Sequence, residues 1–283
     1  MRVLQGAGRR FLIYNLLLDS HPYPWAGTIK AEDAMRRIVA ALMVLAAPVA
    51  LAYTADELAQ KNVEAKGGID KLHAIDSLRF AGKLLVNGDT LQLEYIALIK
   101  RPQSVRYEAQ LQGLTQVQAY DGSQAWQINP FQGRKDPEKL SADDAKAMGE
   151  DALDFTGVLV DYKAKGYTLD YLGTEDVDGT DAYKLRVTRK NGDVTYVYLD
   201  PDYFLEIRTI NRRIEHGVPK ETVTDYGDYE KVEGAYFSFA QVSYRKGSAD
   251  REKLQFDKAE ANAATDETLF HFPTARDGAA SGK

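Results

Sequence analysis

The sequence contains no cysteine, and only four of its 283 residues are histidine. The absence of cysteine excludes disulfides, thiolate metal ligands and a cysteine nucleophile. His73, His216 and His271 lie far apart, and none has a second ligand-type residue at the short spacing typical of metal sites. We therefore expect neither a metal ion nor a cofactor.

The motifs of common enzyme classes are also missing. There is no G-x-S-x-G nucleophile turn, no Walker A loop and no G-x-G-x-x-G dinucleotide fingerprint. Two acidic pairs, Asp143-Asp144 and Glu150-Asp151, have the composition of a glycosidase pair. We interpret them as residues near helix starts, where acids interact favourably with the helix dipole. We expect a protein that is not an enzyme and has no catalytic residue.

Runs of basic residues are absent as well. The chain has 36 basic and 42 acidic side chains, and residues 1–52 hold 6 and 3 of them, so residues 53–283 have a formal net charge of −9. Such an acidic segment is poorly suited to binding nucleic acid phosphates or an anionic membrane surface. We expect no nucleic-acid partner.

Residues 35–52 have the three parts of a secretory signal peptide: two arginines after Met35, an apolar run from Ile38 to Val49, and an A-x-A cleavage site ending at Ala52. The run has about 12 residues, whereas a transmembrane helix needs roughly 20; a buried core helix is the alternative. We expect export and cleavage after Ala52. Since no cysteine stands at the cleavage site, we expect no lipoprotein anchor in the mature form.

The predicted cleavage divides the chain into segments. We interpret residues 1–34 as an upstream start assigned in error, with a genuine N-terminal extension as the alternative. Residues 53–273 are expected to form a single domain. Residues 274–283, rich in glycine, alanine and serine, are expected to form a flexible tail.

The hydrophobic period changes along residues 53–273. A capping box at Thr54 and Glu57 predicts a helix that ends at Gly67-Gly68. Alternating apolar residues then predict half-buried strands, in one meander up to residue 129 and a second from 167 to about 260. Helix signals between them predict a helical insertion at about 130–166. The result is an α+β fold with about eleven antiparallel strands.

One apolar stripe lies within this insertion. Phe155, Val158, Leu159 and Tyr162 fall at the i, i+3, i+4 and i+7 positions of a helical face. Such a helix either covers an ordinary core or closes a ligand-binding hollow, and the residues leave both open. The 17 tyrosines likewise fit ordinary strand propensity or an apolar concave face.

Three stretches carry a family resemblance: residues 59–82 (AQKNVEAKGGIDKLHAIDSLRFAG), 120–133 (YDGSQAWQINPFQG) and 190–200 (KNGDVTYVYLD). They resemble the LolA-like superfamily of exported outer-membrane lipoprotein-sorting proteins. This resemblance implies a strongly curved antiparallel sheet, an incomplete barrel of about eleven strands covered on its open side by helices. It also implies an apolar hollow that receives acyl chains.

The resemblance predicts a periplasmic, non-catalytic carrier or binder of lipid or acylated lipoprotein in outer-membrane biogenesis, soluble after signal-peptide cleavage. An envelope stress sensor or scaffold that binds a protein partner through a sheet edge or the insertion is the alternative. A hydrolase with dispersed carboxylates is a third hypothesis, and it predicts a polar cleft where the carrier predicts an apolar one. The candidate ligand-binding residues are Leu93, Tyr95, Tyr107, Trp126, Phe155, Val158, Leu159 and Tyr162.

Overall fold

A computed structural model describes residues 53–273 of this chain. The predicted upstream residues 1–34, the predicted signal peptide at 35–52 and the predicted tail at 274–283 lie outside the described residues. Within residues 53–273, no helix is both long enough and apolar enough to cross a membrane.

Three α-helices lie in this range: α1 (Ala55–Ala65), α2 (Ile69–His73) and α3 (Ala142–Leu153). The predicted capping box of α1 is confirmed, because the Thr54 hydroxyl accepts from the Glu57 amide and the Glu57 carboxylate accepts from the Thr54 amide. Both bonds satisfy amides that a helix start otherwise leaves without partners. Helix α1 ends before Gly67, as its sequence predicts.

The strands form one antiparallel sheet. They are β1 (Ser77–Val86), β2 (Leu91–Lys100), β3 (Ser104–Leu111), β4 (Leu114–Tyr120), β5 (Ala125–Asn129), β6 (Arg134–Lys139), β7 (Thr168–Val177), β8 (Thr180–Thr188), β9 (Val194–Leu199), β10 (Glu206–Glu215), β11 (Val218–Val232), β12 (Ala235–Arg245) and β13 (Glu252–Ala261). The sequence predicts about eleven strands, and the described residues contain thirteen.

The strand order is β6-β5-β4-β3-β2-β1-β13-β12-β11-β10-β9-β8-β7. Every neighbouring pair in this order is consecutive along the chain except β1 and β13. Two meanders, β1–β6 and β7–β13, are therefore joined through a single pairing in the described sheet. Strands β6 and β7 are the two edges, so the sheet is not closed.

The sheet curves around its own side chains. Tyr107 of β3 and Thr195 of β9 stand far apart in the strand order, yet both line one cavity. Four phenylalanines from β1, β12 and β13 pack at the centre of this inner face: Phe80, Phe237, Phe239 and Phe256. The rings of Phe80 and Phe256 stack with centroids 4.5 Å apart across the junction of the two meanders.

The segment 130–166 differs from the predicted helical insertion. Residues 134–139 form strand β6, and α3 is the α-helix of the segment. The helix predicted from the stripe of Phe155 to Tyr162 is wrong: residues 154–166 are turns. Gly157 has φ 120° and Asp161 has φ 53°, and this left-handed backbone is incompatible with a continuous α-helix.

Helix α3 and these turns lie against the inner face. Met148 and Ala152 of α3 pack with Val105 of β3 and Ala125 of β5. Further along, Leu159 packs among Leu58 of α1 and apolar side chains of β8 and β9. The two meanders are thus covered by different parts of one segment.

The junction of β1 and β13 requires a glycine. The register shifts between Ala81 and Gly82, and a Cβ atom at Gly82 would lie 2.1 Å from the Gln255 carbonyl oxygen and 2.6 Å from Phe256 Cα. Both obstacles are backbone atoms, so rotation of a side chain cannot relieve the overlap. The strands approach this closely because residue 82 has no side chain.

Gly82→Ala is expected to lower the free energy of unfolding by about 2–3 kcal/mol, since the strands must separate to admit the methyl group. Urea unfolding followed by circular dichroism measures this change. Gly227→Ala in β11 is the matched control, because its Cβ would come no closer than 4.0 Å to the Ala240 Cβ. We expect that control to change stability by less than about 0.5 kcal/mol; equal losses in the two variants would contradict the account of the junction.

Candidate functional site

Two adjoining cavities open on the inner face of the sheet. One, which we call the polar cavity, has a volume of about 560 Å³, and the other, the apolar cavity, has about 590 Å³. Five residues line both: Tyr95, Tyr107, Gln118, Ser243 and Leu254. The two cavities therefore meet at a shared wall in which β2, β3 and β13 contribute the aromatic and apolar part.

The apolar cavity is built by strand alternation. Besides Leu254 of β13, its large aliphatic and phenylalanine lining comes from β1 to β3 and from the turn after β5: Leu84, Val86, Leu91, Leu93, Leu111 and Phe131. Leu84 of β1 stands directly opposite Leu93 of β2, and every second residue of these strands faces the same side. Two acidic side chains, Glu108 and Glu252, also line this cavity.

The polar cavity has a wall of hydroxyl and amide side chains. These belong to the neighbouring strands β9 to β12 and include Thr195, Thr209, Asn211, Thr224, Tyr226 and Gln241. Cross-strand bonds hold them in place. The Thr224 hydroxyl lies 3.0 Å from that of Ser243, and the Thr195 hydroxyl donates to the Asn211 side-chain oxygen over 2.7 Å.

The charged residues that line the polar cavity form pairs. Lys66 Nζ lies 3.1 Å from Glu206 Oε1, Arg213 Nη2 lies 3.1 Å from Asp151 Oδ1, and Arg189 Nη2 lies 2.7 Å from Asp154 Oδ2. Lys220 Nζ lies 2.5 Å from Glu215 Oε2 in the same cavity. Each cation of the lining thus has an anion of the lining beside it, so the cavity is polar without carrying a net formal charge.

The Lys66–Glu206 pair is deeply buried, with 8% and 7% of the two side chains exposed. Burial by itself raises the pKa of Glu206, but the Lys66 ammonium and surrounding hydrogen bonds outweigh it, so this pKa lies below its ordinary value. Because Lys66 follows α1 and Glu206 begins β10, the pair ties the helix to the second meander.

Arg213 of β10 connects the second meander to α3. Its guanidinium contacts Asp151 and also lies 3.2 Å from Glu150 Oε2. The interpretation of this acidic pair as helix-start residues is wrong, since both lie near the C-terminal end of α3. Instead, the acids hold α3 against the arginine.

The carboxylates of this pair are also desolvated. Burial raises the pKa of Asp151 and of Glu150 in spite of the neighbouring guanidinium groups. About half of the Asp151 side chain is exposed, but that surface faces the polar cavity. Carboxyl groups with a raised pKa in a cleft are compatible with acid–base chemistry. These two, however, are held in ion pairs, and neither cavity lining contains a histidine.

Five of the eight predicted ligand-binding residues line these cavities. Leu93 lines the apolar cavity, Tyr95 and Tyr107 line both, and Phe155 and Val158 line the polar cavity. Although 155–162 is not helical, the turns still direct Phe155 and Val158 inward.

The other three predicted residues lie elsewhere. Leu159 is 1% exposed and belongs to the core between α1 and β8, and Tyr162 packs against that same core. Trp126 packs on the outer face with Val117 and Ala119, and its indole Nε1 donates to the Phe270 carbonyl over 2.8 Å. The structure therefore gives these residues packing partners in place of a cavity.

The hydroxyl wall is the part of the site that the sequence does not indicate. Thr222, Thr224 and Tyr226 alternate with Val223 and Asp225 in β11, and such alternation is ordinarily read as one face in water. In the structure Val223 is buried on the outer side and the threonines line the cavity. The polar face of β11 is therefore the enclosed one. Its enclosure follows from the strand order, which the alternation of residues does not specify.

Solved structures share this architecture. A LolA superfamily protein from Nitrosomonas europaea has a TM-score of 0.51 and 14% identity, over 78% of this chain and 98% of that one. The chain has the LolA-like fold. A Vibrio parahaemolyticus domain described as an outer membrane lipoprotein-sorting protein also matches, with a TM-score of 0.51 and 12% identity over 77% of this chain and 96% of that one. At these identities, the LolA-like likeness concerns the fold alone.

Sequence comparisons give no counterpart. No protein-family model matches the chain, and no curated protein matches it. The LolA-like fold is thus recognised from the strand arrangement.

Lys66→Met is expected to cost about 3–5 kcal/mol of unfolding free energy at pH 7, because Glu206 stays buried without its cation. In the wild type, the pKa of Glu206 is lower in the folded than in the unfolded state, so its ionised form stabilises the fold at a pH above the unfolded-state pKa. This contribution is lost as the pH falls through the folded-state pKa. In the variant the ammonium is gone, and we expect burial to outweigh the remaining hydrogen bonds and to raise the pKa of Glu206. The unfolding free energy should then rise as the pH falls from about 7 to about 5.

Urea unfolding at both pH values measures this reversal. The double variant Lys66→Met/Glu206→Gln removes both charges and serves as the control. We expect it to recover much of the loss at neutral pH and to lose the acid response of the single variant. A Lys66→Met protein whose stability is unaffected at either pH would rule out a structural role for the pair.

Proposed function

We propose that this protein is a non-catalytic carrier or binder of lipid, or of the acyl chains of a lipoprotein, in the bacterial envelope, where it serves outer-membrane biogenesis. The observation that carries the proposal is the apolar cavity of about 590 Å³ on the concave face of a LolA-like sheet. The predicted signal peptide at 35–52 fits a periplasmic location.

Contact with hydrocarbon supplies the binding energy in this proposal. Each buried methylene contributes about 0.8 kcal/mol, so ten methylenes give about 8 kcal/mol before the cost of association. That cost is at least about 4 kcal/mol. A single chain in the apolar cavity is therefore held reversibly, as a protein that both accepts and releases its ligand requires.

Native mass spectrometry tests the proposal directly. The full chain is expressed in a Gram-negative host, purified from the periplasm without detergent and sprayed under native conditions. We expect an extra mass that is released as lipid on denaturation. A bare polypeptide mass, unchanged after incubation with vesicles of the host's lipids, would exclude lipid binding.

Ala109→Phe is expected to weaken the binding of a medium-chain acyl ligand by at least about tenfold, which is about 1.4 kcal/mol. Ala109 is buried on β3 opposite Tyr95 and lines the apolar cavity, so the added ring takes the place of the chain. Because it fills empty space, the unfolding free energy should change by less than about 1.5 kcal/mol. Calorimetric titration and urea unfolding measure the two effects.

Gln110→Phe is the matched control, since this neighbouring side chain is exposed and faces the other side of β3. We expect it to bind the acyl ligand as the wild type does. Comparable loss of binding in the two variants would place the ligand outside the apolar cavity.

A second candidate function is the envelope stress sensor or scaffold. The observation that favours it is the β10–β11 hairpin, whose Ile214 and Val218 are 61% and 58% exposed near the turn. In this alternative, the exposed apolar pair is the point at which a protein partner packs. A periplasmic pull-down that returns one stoichiometric protein without lipid, and loses it with Ile214→Asp, would favour the scaffold over the carrier.

A further inference from the structure

Four polar side chains lie at the boundary between the two cavities: Tyr95, Tyr107, Gln118 and Ser243. Gln118 and Ser243 have side-chain partners in Gln127 and Thr224, which leaves the hydroxyls of Tyr95 and Tyr107. Both residues line both cavities, and their rings are stacked with centroids 6.3 Å apart and planes 19° apart. They stand on the adjacent strands β2 and β3 and face the same side of the sheet. A ligand that extends from one cavity into the other passes this pair.

Neither hydroxyl has a hydrogen-bond partner among residues 53–273. By contrast, Tyr226 and Tyr229 in the polar cavity are bonded to Thr209 and to the Glu206 carbonyl. Tyr95 and Tyr107 are partly buried, and their hydroxyl oxygens open to the cavities. A ligand that displaces water there has to supply an acceptor, because an unsatisfied hydroxyl costs free energy. Burial also raises the pKa of Tyr95 and of Tyr107, so both hydroxyls keep their protons and remain donors. An occupant with acceptor oxygens at this point would satisfy them.

The chemistry on either side of the pair differs. The apolar cavity offers contact to a hydrocarbon chain, whereas the polar cavity offers hydroxyl and amide groups with every lining charge already paired. Glu252 on the apolar side disfavours an anion nearby. The complementary ligand is an amphiphile with an uncharged, hydroxylated head.

We propose that this protein binds a neutral acyl lipid with its chain in the apolar cavity, its hydroxylated head in the polar cavity and its ester or amide carbonyl at Tyr95 and Tyr107. The carbonyl oxygen has two lone pairs and accepts from both phenols. It is also the atom that lies between chain and head in such lipids. This inference rests on the proposed lipid-binding function and adds the ligand class and the anchoring residues.

The test compares two lipids that differ by one carbonyl. 1-Decanoylglycerol and its ether analogue 1-O-decylglycerol are titrated calorimetrically into the full-length protein, below the concentration at which each forms micelles. We expect the wild type to bind the ester about tenfold more tightly, as the net effect of hydrogen bonds at the carbonyl. Tyr95→Phe/Tyr107→Phe keeps both rings and should bind the two lipids equally, close to the wild-type affinity for the ether.

Tyr236→Phe is the matched control, because Tyr236 lines neither cavity and its ring contacts Lys231. It should keep the tenfold preference for the ester. Thermal unfolding of each variant confirms that the fold is retained.

The head is tested with the decanoyl ester of glycerol 3-phosphate, which adds an anionic group. We expect it to bind at least about tenfold more weakly than 1-decanoylglycerol, since the paired charges of the polar cavity leave no cation free to receive it.

The possible outcomes separate the two proposals. Equal binding of ester and ether by the wild type, or an unchanged preference in the double phenylalanine variant, would overturn the carbonyl anchor and leave lipid binding standing. Tighter binding of the phosphate ester would overturn the neutral head. Failure to bind any of the three lipids would reject the proposed function itself.

Discussion

The pairing of β1 with β13 is the constraint on which the rest of the structure depends. All other neighbours in the sheet are consecutive along the chain and form locally, whereas this pairing brings Leu78 beside Ala261. It turns two meanders into one curved surface. Non-local pairing of this kind is entropically costly, and the stacked phenylalanines on its inner side offset that cost. Leu254 of β13 lines both cavities, so the same junction places the apolar wall beside the hydroxyl wall.

Two groups of strands contribute mainly different chemistry to the enclosed space. Strands β1 to β3 present leucine, valine and tyrosine, and β9 to β12 present threonine, serine and asparagine. The charges that stand on the polar side are neutralised within the protein, and in doing so they fasten α1 and α3 to β10. The same wall therefore serves stability and, in the proposed function, ligand binding. The ion pairs hold α1 and α3 in place and leave hydrogen-bonding groups, without net charge, facing the cavity.

Much of this fold follows from local chemistry. The capping box of α1 can be predicted from the sequence because its hydrogen bonds are made within four residues. The strands can be predicted because their side chains alternate with a fixed period. The stripe of Phe155 to Tyr162 fits a helical period equally well, but Gly157 and Asp161 adopt left-handed backbone, which the spacing of apolar residues does not register. Trp126 shows the limit for the site, because alternation assigns residues to opposite faces without saying which face is concave. Threonines that look solvent-facing line the cavity for the same reason.

The open edges of the sheet have a consequence for how copies of this protein behave toward each other. Edge strand β6 reads Arg134-Lys135-Asp136-Pro137-Glu138-Lys139, with four of its six residues exposed. Its proline lacks an amide proton, and its other five residues are all charged, which disfavours the approach of another strand. A fourteenth strand from a second molecule therefore finds a poor template. The sheet can thus stay unpaired along β6 while its concave face remains accessible.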